Sequence, residues 1–274
     1  MRAHTTVALC VLAAMLAACS SAPPAKETSA IVQAAQTIER RASQAFAKGE
    51  FDTAAGGYES AALVYETLAL AEPQARARLS QARAMAEAGQ PQLALPLVEA
   101  VLSSAAGTNT LSAELRATAH GRAAALLMND DLPRAQTHVQ DAMTACANSC
   151  PQLSALTVLR ARTQLAANQA GDAVASASTA LATAKNDNDR ANALRLRAQA
   201  HAVQGQHSAV LADAQQALAI DQNLGLVQRV GLDLQLLQRA SSALGDTANA
   251  ARYAALAERA KLAEATLRGE RSAP

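Results

Sequence analysis

AFAKGEFDTAAGGYESAALVYETLAL, residues 45–70, is a phrase that the chain repeats, in degenerate form, five more times. An apolar helical pattern runs into Gly49, turns through Glu50 and Phe51, and restarts with Ala54 at the first inward position of a second helix. The same order of turn residue and then a small apolar residue returns as Gly89 and Ala94, Asp130 and Ala135, Asn168 and Ala173, Gly205 and Val210, and Gly245 and Ala250. Subtracting successive turn numbers gives steps of 40, 41, 38, 37 and 40 residues. A near-constant period in this range marks stacked helical hairpins, since one hairpin cannot bury its apolar face alone and its neighbours supply the cover. The expectation is an all-α, right-handed α-solenoid of about six hairpins over residues 29–268.

Composition points the same way. Half of the 274 residues are hydrophobic, yet only 2% are aromatic and Trp is absent, so large rings do not build the core. Ala loses no side-chain entropy on entering a helix and lets helices approach closely. Net charge is +1, and Arg2 is the only charged residue before Cys19; a product starting at Cys19 would carry 23 basic and 23 acidic side chains. That balance lacks the concentrated Lys and Arg that replace counterions on nucleic acid, so no nucleic-acid partner is expected.

The period sets the hairpin bounds. Thr28 or Ser29 caps a first helix that reaches Gly49, and its partner spans 51–70 and breaks at Glu72-Pro73. Copy two reads as 74–88 and 91–104, followed by a loop at 106–109, and copy three as 110–128 and 132–146. Copy four is 151–167 and 170–184, with Pro151 at the first helical position and Cys150 as its cap. A polar stretch at 185–189 precedes copy five, 190–204 and 207–220; copy six is 224–244 and 247–267. The last helix carries Glu258, Arg259, Lys261, Glu264 and Arg268, a charged outer face suited to a terminal repeat, and residues 269–274 read as a frayed tail.

Seven residues before each turn stand Ala42, Ala82, Ala123, Ala161, Ala198 and Gln238; twelve after it stand Ala61, Val101, Ala142, Ala180, Ala217 and Ala257. Small residues there let the two helices of a hairpin close on each other. This arrangement resembles the tetratricopeptide repeat, and Tyr58 fits that family's aromatic slot nine residues after the turn. Val98, Val139, Ala177, Ala214 and Ala254 replace the aromatic in the other copies, and the steps exceed the family's usual length, so the copies are degenerate.

The resemblance implies a concave groove, lined by the first helix of each hairpin, that holds a peptide or a partner helix. It places positions ten and six before the turn on that groove: Glu39 and Ser43, Leu79 and Arg83, His120 and Ala124, Val158 and Arg162, Arg195 and Gln199, Gln235 and Arg239. The candidate partner-binding residues are Arg83, His120, Arg162, Arg195, Gln199, Gln235 and Arg239. Four arginines, with no acid after the first copy, suit carboxylates or backbone carbonyls on a protein partner. The same arginines can instead pair with acids on neighbouring helices, and the sequence leaves both readings open.

At the amino terminus, Arg2 precedes an apolar run from 7 to 18 interrupted only by Cys10. Twelve residues fall short of the roughly 20 needed to cross a bilayer, but they fit the core of a secretory signal. The run ends in Leu16-Ala17-Ala18-Cys19, which resembles the lipobox of bacterial lipoproteins. The resemblance implies a signal peptide at 1–18, a diacylglyceride on Cys19, cleavage before it, and acylation of the new amino group. Ser20 in the next position implies an outer-membrane rather than inner-membrane destination, with the chain on the periplasmic face. Residues 19–28, with Pro23-Pro24, then read as the lipidated cysteine and a tether.

Cys10 leaves with the signal and Cys19 is consumed by lipid, so Cys146 and Cys150 remain. They are either two thiols or a disulfide, and an oxidising compartment favours the bond. Three intervening residues exclude the redox spacing, and no further metal ligands lie in this segment.

The chain carries no Gly-rich phosphate loop, no His-Glu-x-x-His and no Gly-x-Ser-x-Gly, so no catalytic residue and no cofactor is expected. The histidines left after cleavage are His120, His138, His201 and His207; by spacing none pairs with a Cys or carboxylate, and no metal site is expected. The sequence therefore reads as a non-enzymatic lipoprotein that scaffolds a cell-envelope complex of outer-membrane assembly, secretion or pilus type. The alternative is a regulator or recruiter of peptidoglycan enzymes, or a structural envelope protein.

Overall fold

The structure, a computed structural model, describes residues 29–108, 111–147 and 150–267. Cys19, the signal, the tether and the tail at 269–274 lie outside the described residues. Every regular element among the described residues is an α-helix, and there are twelve. They are α1 (Ala30–Ala47), α2 (Phe51–Thr67), α3 (Ala71–Glu87), α4 (Pro91–Thr108), α5 (Ala113–Leu127) and α6 (Leu132–Cys146), then α7 (Leu153–Ala166), α8 (Ala170–Thr183), α9 (Asp187–Val203), α10 (His207–Asn223), α11 (Val227–Ala243) and α12 (Thr247–Leu267). None of these helices is long and apolar enough to cross a membrane.

The turns that mark the period share one geometry. After α1, Gly49 takes φ +81°, Gly49 N–H donates to Phe46 O, and Glu50 N–H donates to Ala45 O, both at 3.0 Å. This left-handed cap satisfies carbonyls that the helix end would orphan. The same bonds recur at Gly89, Asn168, Gly205 and Gly245. Asp130 departs from it: no residue of that turn has positive φ, and Asp131 caps α6 by accepting from Arg134 N–H at 3.1 Å.

The connectors between hairpins hold most of the corrections. The chain turns at Ala69 (φ +52°), with Leu70 N–H donating to Tyr65 O at 2.9 Å, not at Glu72-Pro73. Pro73 is the third residue of α3, where the helix needs no donor, so α3 begins at Ala71 rather than at 74. Helix α4 continues through 106–108, a stretch the sequence marks as loop, because no proline or cap stops it sooner. Helix α7 begins at Leu153 with Gln152 as cap, so Pro151 lies in the turn rather than at the helix start. Asn186 accepts from Asp189 N–H at 2.9 Å and starts α9 inside the polar stretch 185–189. Asp187 and Asp189 sit in its first turn, where acids complement the helix dipole. Cys146 and Cys150 are joined by a disulfide between α6 and α7, with Cα atoms 5.1 Å apart.

Packing follows the small residues. Ala42, Ala82, Ala123, Ala161 and Ala198 are buried, as are Ala61, Val101, Ala142, Ala180, Ala217 and Ala257; Gln238, the large side chain of the first set, is half-buried. The first hairpin closes tightest: a Cβ on Gly57 would lie 2.8 Å from the Ala42 Cβ. Each helix packs on the next in sequence. Beyond those neighbours the packed pairs among the described residues are α3 with α5, α5 with α7, α7 with α9, and α9 with α11. All are odd-numbered, so the first helices form a close inner row, and a stack packed tightly along one row curves toward it.

Candidate functional site: a basic hollow on the inner row

On that inner row, α3, α5 and α7 enclose a hollow of about 350 Å³. Gly121 makes room for its floor, since a Cβ there would sit 3.0 Å from Leu156 Cδ2. Three cations line it, Arg83 from α3, Arg122 from α5 and Arg162 from α7, against one acid, Glu87. Arg83 lies over the Phe46 ring at 4.3 Å. Arg122 sits between Arg83 and Arg162, its Nε buried without a hydrogen-bond partner. Burial, and then the neighbouring charge of Arg83, push the Arg122 guanidinium down to about 10, so it stays charged at neutral pH. A donor left unbonded in a low-dielectric hollow is costly unless a ligand accepts from it. The arrangement therefore suits an anionic group laid across three hairpins, with apolar walls on either side.

The other sequence candidates are placed differently. Arg195 is not on the groove but buried: its Nε donates to Asp233 Oδ1 on α11 at 2.6 Å and its terminal nitrogen to Asp221 Oδ2 on α10. His120 faces α6, with its Nδ1 3.0 Å from His138 Nδ1. Gln199 lies on α9, and Gln235 and Arg239 lie on α11, away from the hollow. Gln235 borders a separate hollow of about 200 Å³ between α11 and α12.

One register error explains Arg195 and His120. Position ten before the turn lies three residues from position seven, so both share the face that packs inside the hairpin. Accordingly Glu39 accepts from the Tyr65 hydroxyl on α2 at 2.8 Å, and Leu79 belongs to the core. Burial and that carboxylate together push the Tyr65 hydroxyl up to about 12. Arg122, eight residues before its turn, is missed for the same reason, although its spacing of four from Thr118 would place the two on one stripe. The sequence reading also overlooks Asp141, three residues after His138 and hence on the same face of α6. The structure brings His120, His138 and Asp141 together.

No protein-family model matches this chain. No curated protein matches it either. Solved structures do. A putative kinesin light chain with nearly identical TPR-like repeats, from Podosopora anserina, aligns with TM-score 0.56 at 20% identity, over 72% of this chain and 99% of its own. BtubC from P. vanneervenii aligns over 90% of this chain and 96% of its own, with TM-score 0.59 and 17% identity. A thermophilic TPR protein of Thermus thermophilus aligns with TM-score 0.54 at 22% identity, over 77% of this chain and 98% of its own. The fold is a tetratricopeptide-like α-solenoid. At these identities the likeness speaks to the solenoid's architecture, and the hollow has to be read from its own residues.

Proposed function

We propose that this solenoid is a lipid-anchored envelope scaffold that holds an acidic segment of a partner protein in the hollow of α3, α5 and α7. The observation that carries the reading is Arg122, charged and missing a partner at its buried Nε, between Arg83 and Arg162 on the inner row. Arginine forks bind carboxylates bidentately and strongly when water is excluded. Solenoids of this kind generally serve as protein-contact surfaces, and the extended inner face is what such a surface requires. The anchor is proposed from Leu16-Ala17-Ala18-Cys19, with the outer membrane as destination from Ser20. Two acyl chains or more hold a protein stably at a membrane, whereas one does so only marginally.

The test is crosslinking capture from an envelope fraction, read by mass spectrometry, for the wild type and for Arg83→Gln/Arg122→Gln/Arg162→Gln. A partner lost in the triple variant and kept in Arg239→Gln, outside the hollow, supports the reading. A partner retained by the triple variant, with helicity unchanged, overturns it. Cys19→Ser should leave the precursor uncleaved and abolish incorporation of labelled fatty acid into the chain; unaltered cleavage, or unaltered labelling, would refute the anchor.

A further inference from the structure

The third hairpin holds a cluster that neither the hollow nor the packing of the array uses. His120 on α5 and His138 on α6 point their Nδ1 atoms at each other across 3.0 Å, and Asp141 Oδ2 lies 3.8 Å from the same His120 nitrogen. One ligand atom from each of the three residues falls within 4.8 Å of the others. We infer that His120, His138 and Asp141 form a site for a divalent ion of the zinc class, with water completing the coordination.

The geometry can be reached by side-chain rotation. Two imidazole nitrogens bound to zinc at about 2.0–2.1 Å with a tetrahedral angle stand roughly 3.3–3.4 Å apart. The pair at 3.0 Å therefore has to open by a few tenths of an ångström, while Asp141 has to close by about as much on His120, from 3.8 Å, and by up to about 1.5 Å on His138, which lies within 4.8 Å of it. Both adjustments are within side-chain torsion, because Asp141 is half exposed and His120 has about a fifth of its side chain open to solvent. The bite is preset by the backbone: His138 and Asp141 share a face of α6 three residues apart, and α5 packs directly against it.

The surroundings are consistent with a cation. Arg134, the nearest arginine on α6, is engaged with Glu99 at 2.7 Å, and Arg116 donates to Leu111 O at 2.6 Å. Burial, the largest influence on both rings, holds His120 and His138 below the ordinary histidine range. Two imidazoles and one carboxylate suit zinc and its neighbours in the transition series, whereas calcium and magnesium require more oxygen donors. The ordinary alternative is a neutral imidazole pair sharing one N–H···N hydrogen bond, which takes up no metal.

Titration of the full chain, free of any histidine tag, with Co²⁺ and then Zn²⁺ separates the two. The expected result is one Co²⁺ per chain with visible d–d absorption, displaced by an equivalent of Zn²⁺ and not by excess Mg²⁺ or Ca²⁺. His120→Gln and His138→Gln should each weaken binding about a hundredfold or more, and Asp141→Asn at least about tenfold, since even the partners that merely orient a ligand are worth about 10–100-fold. His207→Gln, on the fifth hairpin, should bind as the wild type does. Circular dichroism confirms that each variant is folded. Absence of saturable binding overturns the site, as does binding of wild-type strength in a folded His138→Gln or His120→Gln chain.

Discussion

Replacing Arg195 with Met should cost about 3–5 kcal/mol, the range for stripping one partner from a buried ion pair. The structure explains why the loss should far exceed that of an exposed pair. Asp221 and Asp233 are fully buried, and Arg195 is the cation hydrogen-bonded to both. Asp221 Oδ1 already lacks a partner, so the cluster is short of donors before the mutation. Burial, only partly offset by Arg195, also pushes the Asp233 carboxyl up to about 6. Because that folded value lies above the unfolded 3.8, the native chain holds a proton that the unfolded chain has released between those limits. Stability from this group therefore rises as pH falls through about 6 toward 3.8, and is lost as pH rises through about 6.

Urea unfolding followed by helicity at pH 7.5 and pH 5.0 measures the cost, and amide exchange locates it. Arg195→Met should lose stability mainly in α9, α10 and α11, and more at pH 7.5 than at pH 5.0. Adding Asp233→Asn to that chain should recover at least about 1 kcal/mol at pH 7.5, by removing one of the two stranded charges. A loss below about 1 kcal/mol, or a loss equal at both pH values, would refute the account of the cluster.

Other substitutions probe the turns and seams. Ala69→Gly should stabilise by up to about 1 kcal/mol, because Ala69 holds a left-handed φ of +52° that costs an L-residue about 1–2 kcal/mol, less the extra entropy of glycine; thermal melting checks the sign. Gly57→Leu should destabilise by about 1–3 kcal/mol in chemical denaturation, since its Cβ alone would stand 2.8 Å from Ala42 and the helix-propensity gain is smaller. Cys146→Ser/Cys150→Ser should lose about 2 kcal/mol on the chain-entropy account of so short a loop, and a reductant should then have no effect on the melting of the variant.

Much of the fold was legible because glycine and alanine mark it twice. Gly49, Gly89, Gly205 and Gly245 announce a backbone that favours no side chain, and the alanines seven before and twelve after each turn announce thin seams. The connector at Ala69 was not legible, since alanine is a poor resident of left-handed backbone and Pro73 offered a more obvious but misplaced stop. The hollow was half legible. Arg83 and Arg162 line it, but a face assignment ten residues before the turn drew in Arg195 and His120, whose partners Asp221, Asp233 and His138 come from neighbouring helices. Their pairing depends on how helices are stacked, which periodicity along a single helix does not encode.

Contact among the odd-numbered helices, without a matching set among the even-numbered ones in the described residues, has a mechanical outcome. Tension along the stack would be borne by the inner seams α3–α5, α5–α7, α7–α9 and α9–α11 together with the seams that join each hairpin to the next, α2–α3, α4–α5, α6–α7, α8–α9 and α10–α11, while no seam joins one outer helix to another among the described residues. The array should then extend by unbending, and anything laid along α3, α5 and α7 would stiffen it as a splint stiffens a finger.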